Sequence, residues 1–304
     1  MLDDGPSSYF APLGRELSRL VLGTLVLSRA DPEANAAVLD EYVRLGGNVI
    51  DTAHVYADGD AERALGDWLE HRGALRDQLV VITKGAHPDG ERLRVTPADI
   101  GRDLRESVER LHGPVDLYIL HRDDPSVPVG ELVECLNEHR AAGSIRAFGT
   151  SNWTTRRIDE ANAYAAAHGL EGFCVSSQHL SLAGQNEEHW PDTVSAGDPE
   201  IAAWHAQTQT PLLAWSAQAR GYFAGRDDAE VRRVYDNAVN RERRRRAEAT
   251  GSRIGRPAQS VALAWVLHQP YPVYAAFGAR TAEQVREAWG ALEIDRAELA
   301  GLAS

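Results

Sequence analysis

The sequence predicts a single (β/α)8 barrel domain over residues 1–304, and three observations support this fold class. Short apolar runs of strand length recur eight times along the chain. The segments between them place apolar residues at helical spacing, so strands alternate with helices as in a parallel sheet. The length of 304 residues is near that of a closed eight-stranded barrel, and two long gaps predict extended loops at the carboxyl face of the strands.

The eight predicted strands are short apolar runs, as expected for strands buried on both faces. In chain order they are Leu20–Leu22, Asn48–Asp51, Leu79–Ile82, Val115–Leu120, Ile145–Phe148, Phe173–Val175, Leu212–Trp215 and Val273–Phe277. The two long gaps follow the sixth and seventh of these runs, from Gln178 to Pro211 and from Ser216 to Pro257. Loops of this length usually build the substrate pocket of a barrel.

Helices are predicted between the strands from their apolar faces and from their end signals. One such face is formed by Ile100, Leu104, Val108 and Leu111. Thr96 followed by Pro97 predicts the start of that helix, since threonine caps helices and proline is favoured at the first helical position. Gly46–Gly47 and Gly143 mark the ends of two others.

A doubly wound parallel sheet is the competing fold. Such a sheet usually binds a dinucleotide through GxGxxG after its first strand, whereas the glycine here stands alone as Gly23 before Thr24. The arginine-rich segment 240–249 could resemble a nucleic-acid patch. Because it lies beside acidic residues in a chain of net charge −13, a solvated helix face is the preferred interpretation.

Composition narrows the partners and the compartment. A net charge of −13 argues against nucleic acid or an anionic membrane as a partner. The charge does not indicate whether the protein is a monomer or an oligomer. The start of the chain, Met1–Pro6, lacks the cationic and apolar regions of a signal peptide, and no stretch reaches the length of a membrane span. Cys135 and Cys174 have no metal-binding spacing, so we expect reduced thiols and a cytoplasmic protein.

The chain contains a single lysine, Lys84, against 31 arginines. It follows the apolar run that begins at Leu79, so the ammonium lies at the end of a predicted buried strand. A compact charge on a flexible stem can polarise one neighbouring atom, which a planar guanidinium does poorly. We therefore interpret Lys84 as functional; the alternative is a lysine that extends its charge from a strand end into solvent.

Polar residues follow the predicted strands one after another, and all would face the same mouth of the barrel. They are Asp51 with Tyr56, Lys84, His121, Ser151 with Asn152, and Gln178. Each has a structural explanation when taken alone, such as a helix cap or a hydrogen-bonded core histidine. Their joint occurrence predicts a functional site, with no metal among its components.

At these residues the chain resembles the aldo-keto reductase superfamily, from about Leu13 to the last helix. Residues 46–56 (GGNVIDTAHVY) are similar to that family's signature around its catalytic Asp and Tyr. The lysine strand is matched by 81–84 (VITK) and the histidine strand by 116–121 (DLYILH). The cofactor-binding positions are matched in order by 149–152 (GTSN), Gln178 and 278–281 (GART). Ala57 stands where the family usually has Gly, and we expect the turn to stay intact.

The resemblance implies reduction of an aldehyde or ketone, and the residue types fit that chemistry. Tyr56 is the expected proton donor, and a neighbouring Lys84 ammonium should lower the pKa of its phenol. Asp51 should pair with Lys84 and offset the cost of burying its charge. His121 should hydrogen-bond the substrate oxygen and orient it, with proton relay as a second possible role.

The family implies NADPH as the hydride donor, spread across the barrel mouth. The implied contacts are Gly23, Thr24, Asp51, Ser151, Asn152, Gln178, Trp215, Ser216, Gly278, Arg280, Thr281, Gln284 and Glu287. Trp215 would lie against the nicotinamide or close the seventh strand as a core aromatic. Arg280 can pair with a 2′-phosphate, so NADP is favoured over NAD. Ala288 stands where relatives commonly carry Asn, which weakens the expected adenine contact and with it the NADP preference.

Among implied cofactor contacts, Ser151, Asn152 and Gln178 would hold the carboxamide. The substrate, a small carbonyl compound, would meet residues of the strand-end loops. The candidates are His54, Arg122, Trp153, Trp190, Arg220 and Tyr222. A pocket with aromatic walls and cationic groups suits a polyhydroxylated or sugar-like carbonyl compound better than an apolar ketone.

Two other function classes stay open from the sequence. The first is a non-enzymatic NADP-binding module of the same fold, as in potassium-channel β subunits, against which the complete catalytic set argues. The second is a metal-dependent barrel hydrolase that uses Asp51, His54 and His121. The absence of an HxH motif after the first strand weakens it.

Overall fold

The computed structural model describes residues 5–70, 72–90 and 92–303, and within these ranges a closed barrel of parallel strands follows a short hairpin. The predicted absence of a signal peptide concerns a segment whose first residues, Met1–Asp4, lie outside the described residues. Among the described residues, no helix is both long enough and apolar enough to cross a membrane. The predicted (β/α)8 fold is confirmed, and a single domain over 1–304 stays a prediction.

The hairpin consists of β1 (Ser7–Phe10) and β2 (Arg15–Ser18), which pair antiparallel. Its turn ends at Gly14, whose φ of 64° lies in the left-handed region that glycine adopts without strain. Apolar side chains of the hairpin, Phe10 and Leu17 among them, join the cluster inside the barrel near the strand beginnings. Among the described residues, the hairpin therefore closes the amino end of the barrel.

The barrel strands follow one another around the barrel in chain order, and the last pairs with the first. They are β3 (Leu20–Gly23), β4 (Val49–Asp51), β5 (Val80–Gly85), β6 (Val115–Leu120), β7 (Ile145–Ser151), β8 (Ser176–His179), β9 (Leu212–Trp215) and β10 (Val273–Gly278). All neighbouring pairs are parallel, so every strand ends at the same mouth.

Helices surround the barrel. In chain order they are α1 (Pro32–Arg44), α2 (Asp60–Glu70), α3 (Gly73–Arg76), α4 (Pro97–Arg110), α5 (Val129–Ala141), α6 (Thr155–His168), α7 (Pro199–Thr208), α8 (Ala229–Tyr235), α9 (Ala238–Ile254), α10 (Ala258–Leu267) and α11 (Ala282–Trp289). The predicted start of α4 is confirmed, since the Thr96 hydroxyl accepts a hydrogen bond from the Asp99 amide at 3.3 Å. Gly46 and Gly143 follow α1 and α5 with φ of 100° and 75°.

The prediction of the sixth strand was wrong in position. The apolar run Phe173–Val175 only leads into β8, which is formed by the polar residues 176–179. Barrel closure decides this register, because Ser176 pairs with both Thr150 and Leu212 on the neighbouring strands. Burial, hydrogen bonding and closure can hold a polar strand that an apolar pattern does not reveal.

Side chains alternate along the barrel strands, and this alternation positions the site. The barrel interior is packed by residues such as Val21, Val49, Ile82, Ile119, Val175 and Leu213. The residue two positions further along each strand points the same way, because side chains in a strand alternate with a period of two. Those residues are Gly23, Asp51, Lys84, His121, Ser177 and Trp215.

The second long loop holds α8, α9 and a 3-10 turn at Ala219–Ala224. The arginine-rich segment lies on α9, where both Arg245 and Arg246 contact Glu242 at 2.7 and 2.8 Å. These pairs fit the predicted solvated helix face. Both cysteines, Cys135 and Cys174, are free thiols, as predicted.

Candidate active site

A cavity of about 1020 Å³ opens at the carboxyl end of the barrel. Most residues predicted for the site line it: Gly23, Asp51, Tyr56, Lys84, His121, Arg122, Ser151, Asn152, Trp190, Trp215, Ser216, Arg220, Gly278, Arg280 and Gln284. The structure thus brings together side chains that are up to 261 positions apart in the chain (Gly23 to Gln284).

Lys84 is the centre of the most densely bonded group in the cavity. Its Nζ lies 2.7 and 2.8 Å from the two carboxylate oxygens of Asp51 and donates to the Thr52 carbonyl at 2.8 Å. It also donates to the Tyr56 hydroxyl at 3.2 Å. Lys84 and Asp51 are only 3% and 5% exposed, so the charge pair is almost wholly removed from water. Asp51 and the Thr52 carbonyl thus fix the ammonium so that its remaining N–H group is directed at the Tyr56 hydroxyl.

Tyr56 lies on a tight turn between β4 and α2. Its amide donates to the Ala53 carbonyl at 3.0 Å, and Ala57 and Asp58 then adopt left-handed φ values of 48° and 52°. The turn therefore survives with Ala57 in place of the usual glycine, although an alanine is strained in this conformation. The turn directs the phenol toward the end of β5.

Burial dominates the electrostatics of this group. Burial opposes the charge of Lys84, but the Asp51 carboxylate and the Tyr56 hydroxyl outweigh it, so the pKa of Lys84 is raised. Burial also raises the pKa of Asp51 against the effect of Lys84. For Tyr56, burial raises the pKa and the Lys84 ammonium only partly offsets it. Lys84 acts on the phenol in the predicted direction, but the net pKa is raised where a lowered one was expected.

His121 follows β6 and is held by its backbone, since its amide donates to the Gly85 carbonyl at 2.8 Å. Its ring lies edge-on to those of Tyr56 and His87, with centroids 6.1 and 4.9 Å away. Burial, followed by the charge of Lys84, lowers the pKa of His121 well below its usual range. Among the described residues its Nδ1 has no hydrogen-bond partner. The imidazole is therefore neutral and able to bond a substrate oxygen.

Ser151, Asn152 and Trp215 form the cavity wall opposite the tyrosine turn. The Asn152 amide donates to the Ser151 hydroxyl at 3.0 Å. Trp215 lies edge-on to His179, with ring centroids 5.1 Å apart. In the part of the chain that the structure describes, its buried indole nitrogen lacks a partner. Trp215 therefore lines the cavity and also packs against His179, while its contact with a nicotinamide stays a prediction.

Gln178 does not reach the cavity. Its Nε2 donates to the Trp153 carbonyl at 3.2 Å, and its Oε1 lies 3.2 Å from Nε2 of His205 on α7. It follows Ser177 by one position, so its side chain leaves the opposite face of β8. Ser177 lines the cavity instead, and its hydroxyl is unpartnered among the described residues. Sequence reasoning missed Ser177 because residues 176–179 are all polar and give no apolar alternation that would set the direction of their side chains.

The rim of the cavity is built by the start of α11. The Thr281 hydroxyl caps this helix by accepting from the Gln284 amide at 3.2 Å, and Gln284 Oε1 accepts from the Arg280 amide at 2.7 Å. The Arg280 guanidinium is exposed, and the described residues offer it neither an ion pair nor a hydrogen bond. Arg280 is thus a free cation at the cavity edge.

Three other residues predicted to contact the cofactor do not line the cavity: Thr24, Thr281 and Glu287. Thr24 is fully buried, and its amide donates to the Asp51 carbonyl at 2.9 Å. Thr281 serves the helix cap. Ala288 is buried in the core, so the departure from Asn there lies away from the cavity.

Three of the predicted pocket residues also point elsewhere. His54 lies 2.8 Å from the Glu106 carboxylate, outside the cavity. Trp153 is fully buried and donates to the Arg122 carbonyl at 3.0 Å. Tyr222 lines a separate cavity beside α9. Arg122, Trp190 and Arg220 are left as pocket residues.

Sequence reasoning missed further cavity residues, among them Leu25, Val55, His87 and Gln218. All four lie in loops after strands, where apolar patterning carries little information. His87 has one signal that could have identified it, since it comes three residues after Lys84 and therefore at the same barrel mouth.

The residues of the alternative hydrolase site do not converge. The Asp51 carboxylate pairs with Lys84, and the His54 ring contacts the Glu106 carboxylate. Within the described residues, no group of three or more His, Cys, Asp or Glu side chains could hold a metal ion. The donor set therefore does not favour metal-dependent hydrolysis.

Comparisons with known proteins agree with this geometry. Norsolorinic acid reductase stcV of Emericella nidulans is 29% identical over 304 positions, which cover 92% of this chain and 76% of that protein. The uncharacterized oxidoreductase YrpG of Bacillus subtilis is 27% identical, with 94% and 91% covered. A crystal structure of an aldo/keto reductase from Klebsiella pneumoniae in complex with NADP and acetate superposes with a TM-score of 0.77 at 25% identity, covering 98% of this chain and 94% of that one.

A family model confirms the resemblance that the sequence motifs indicate. The model described as the Aldo/keto reductase family matches residues 19–303, which is nearly the whole chain. The match includes every barrel strand and the complete tyrosine, lysine, aspartate and histidine group described above. This protein is an oxidoreductase that belongs to the aldo/keto reductase family.

Proposed function

We propose that this protein reduces an aldehyde or ketone with NADPH, and that Tyr56 supplies the proton. The observation that carries the proposal is the buried Lys84 ammonium, bound to Asp51 on one side and to the Tyr56 hydroxyl at 3.2 Å on the other. A buried lysine that served packing alone would not need a phenol at the wall of an open cavity. The arrangement suits a phenol that gives up its proton during a reaction.

Bound NADPH would supply a hydride to the carbonyl carbon. The protein's part is to protonate the carbonyl oxygen and to stabilise the charge that results. Tyr56 donates its proton to that oxygen, and the Lys84 ammonium stabilises the phenolate left behind. Asp51 keeps Lys84 charged in a buried site. The neutral His121 donates a hydrogen bond from Nε2 to the same oxygen and so orients the carbonyl.

The residues of the cavity fit a nicotinamide nucleotide. Ser151, Asn152 and Ser177 present polar groups beside the catalytic group, and Ser177 is unpartnered among the described residues. Trp215 offers an aromatic face. At Gly278 a Cβ atom would meet nothing within 4 Å, so the chain leaves open space at the rim. These features support a dinucleotide that extends from the catalytic group to α11.

The preference for NADP over NAD rests on Arg280. Its exposed guanidinium, free of ion pairs within the described residues, can bind a 2′-phosphate through charge-assisted hydrogen bonds. NAD has an uncharged 2′-hydroxyl in place of this phosphate. The Klebsiella pneumoniae relative in its NADP complex supports the same assignment.

The cavity walls favour a polar carbonyl substrate, which agrees with the sugar-like class expected from the sequence. Arg122 supplies a cationic group, and Arg220 supplies a guanidinium that is paired with Glu230 at 2.7 Å. Trp190 and Trp215 supply aromatic faces with ring centroids 5.6 Å apart. The alternative of a non-enzymatic NADP-binding module is disfavoured, because such a module needs no buried ammonium against a phenol.

The test is a steady-state panel of aldehydes, ketones and aldoses with NADPH and NADH, run on wild type and on Tyr56→Phe. Loss of a positioned acid should lower kcat by ~10²–10⁴-fold. NADPH affinity, measured by fluorescence titration, should stay within about threefold, because the phenol is a proton donor and not a cofactor anchor.

Tyr9→Phe is the matched control, since Tyr9 is exposed on the hairpin at the closed end of the barrel. It should leave kcat unchanged. If Tyr56→Phe keeps more than a tenth of the wild-type kcat on a substrate whose chemical step limits the rate, Tyr56 is not the donor. Absence of turnover with every carbonyl would favour the binding module.

A further inference from the structure

Arg122 is a buried cation in the wall of the catalytic cavity. It directly follows His121 at the end of β6 and is only 9% exposed. Its Nη1 donates to the His121 carbonyl at 2.9 Å. Among the described residues, it forms no ion pair within 4 Å, and Asp192 and Glu188 act on its charge only from further away. The guanidinium has five N–H donors and therefore retains unused hydrogen-bonding capacity toward the cavity.

Three other arginines of this protein with similarly buried side chains are neutralised by carboxylates. Arg94 binds Asp103, and Arg110 binds Glu62, with 13% of each arginine side chain exposed. Arg157 binds Asp123 with 11% exposed. The chain thus places a carboxylate beside each of these three cations.

Within the described part of the chain, Arg122 has no such partner at the point where the cavity reaches the catalytic group. The carboxylates of Asp192 and Glu188 act on its charge, but from beyond ion-pair distance, and burial lowers its pKa. A guanidinium nevertheless stays charged in proteins. A buried charge without a partner is costly, and a ligand that brings the opposite charge removes that cost.

The position of Arg122 relates such a ligand to the reaction. Its backbone is continuous with His121, and its charge acts on the Tyr56 phenol. A group bound by Arg122 therefore lies near the carbonyl that Tyr56 and His121 hold. The exposed face of Trp190 and the side chain of Leu25 line the outer cavity and suit an apolar remainder.

We infer that Arg122 determines substrate specificity by binding a carboxylate of the substrate, so that the enzyme prefers carbonyl compounds that carry an acid group. The inference rests on the proposed function and narrows its substrate class. A planar carboxylate matches the fork of a guanidinium with two parallel hydrogen bonds. An uncharged ester of the same shape would leave the cation unpaired.

The kinetic test compares acids with their esters. The probes are 3- and 4-carboxybenzaldehyde and the corresponding methyl formylbenzoates, each reduced with NADPH. In Arg122→Met, the ratio of kcat/KM for acid over ester should fall by ~10–100-fold, mainly through KM, as expected for loss of a charge-assisted pair. Arg122→Lys should retain part of the ratio, because it keeps the charge but loses the fork.

Arg146→Met is the matched control. It makes the same change of charge at the amino end of β7, where Arg146 pairs with Asp116 at 3.2 Å. The ratio should not change there. A ratio within threefold of wild type in Arg122→Met overturns the inference, as does a rise in the Kd of NADPH without any change in the ratio, which would assign Arg122 to the cofactor.

A binding measurement separates this inference from the proposed function. 3-Acetylbenzoate and its methyl ester are titrated calorimetrically into the protein with NADP⁺, which cannot reduce the ketone. The carboxylate should bind ~10-fold tighter than the uncharged ester, and Arg122→Met should abolish that difference. Equal affinities in wild type refute the anion site even if aldehydes are reduced. A preference that depends on Arg122 in a protein without turnover supports the site and counts against the reductase.

Discussion

Removing Lys84 should destabilise the barrel by an amount that can be worked out from its contacts. Its ammonium contacts both carboxylate oxygens of Asp51 at 2.7 and 2.8 Å, and both residues are at most 5% exposed. In Lys84→Met, Asp51 must either keep a buried, unpaired charge or take up a proton. Breaking a buried pair costs about 3–5 kcal/mol. Protonating a carboxyl at pH 7 from an unfolded pKa near 3.9 costs about 4 kcal/mol.

The double variant Asp51→Asn with Lys84→Met removes both charges and should recover most of this loss. We expect a coupling free energy of about 3 kcal/mol from the double-mutant cycle. The assay is urea unfolding of the four proteins at pH 7, with kcat measured on the same samples. Stability should return in the double variant while kcat stays ~10²–10⁴-fold down, because the phenol has lost its ammonium.

Additive effects on stability would refute the reasoning, since they would show that the charges do not compensate each other. Recovery of activity together with stability would show that Lys84 serves folding alone. Asp51→Asn by itself is the remaining corner of the cycle. It should also lower stability, because it leaves the Lys84 ammonium buried without its anion.

Further outcomes follow from the same site. Arg280→Ala should raise KM for NADPH at least ~10-fold more than KM for NADH, since only NADPH carries the 2′-phosphate; equal losses would place Arg280 on shared groups. Lys84→Arg should fold but lose kcat severely, and near-normal turnover would mean that any cation suffices. The pKa of Tyr56 is raised and that of His121 is well below its usual range, so neither group should change its protonation near neutral pH. We therefore expect kcat/KM for reduction to be constant from pH 7 to about 9. Titration of either group near pH 7 in this profile would contradict the shift assigned to it. Burial lowers the pKa of His179 to about 3. Below pH ~6.5 the unfolded state therefore binds more protons than the folded state, so the free energy of unfolding decreases as the pH is lowered, by up to about 1.4 kcal/mol per pH unit. His179→Gln should make the urea midpoint less dependent on pH between pH 7 and 5 than it is in wild type. An unchanged dependence would refute this role of His179.

The barrel and the meeting of the proposed catalytic residues could be predicted because both depend on local patterns. Apolar runs mark most strands, and the residue that follows each run lies at the carboxyl mouth in any barrel of parallel strands. Asp51, Lys84 and His121 each follow such a run, so their meeting was implied by order alone. The single lysine in the chain drew attention to the same place.

Side-chain direction could not be predicted where the pattern is polar. The strand with Ser177 and Gln178 has no apolar residue to set its register, and a shift by one position turns each side chain to the other face. Closure between β7 and β9 decided that Ser177 faces the cavity and that Gln178 meets His205. Sequence reasoning had predicted Gln178, the next residue, for the position that Ser177 occupies in the cavity wall.

The sequence by itself determined which chemistry this protein carries, since residue types and their order along the strands require no knowledge of the loops. Tertiary structure alone decided the environment of each group. Burial raised the pKa of Tyr56 against Lys84. Loop packing bound His54 to Glu106 and left Arg122 without an ion pair within 4 Å among the described residues. Desolvation and pairing depend on every atom nearby, most of them distant in the chain, and so no local pattern encodes them.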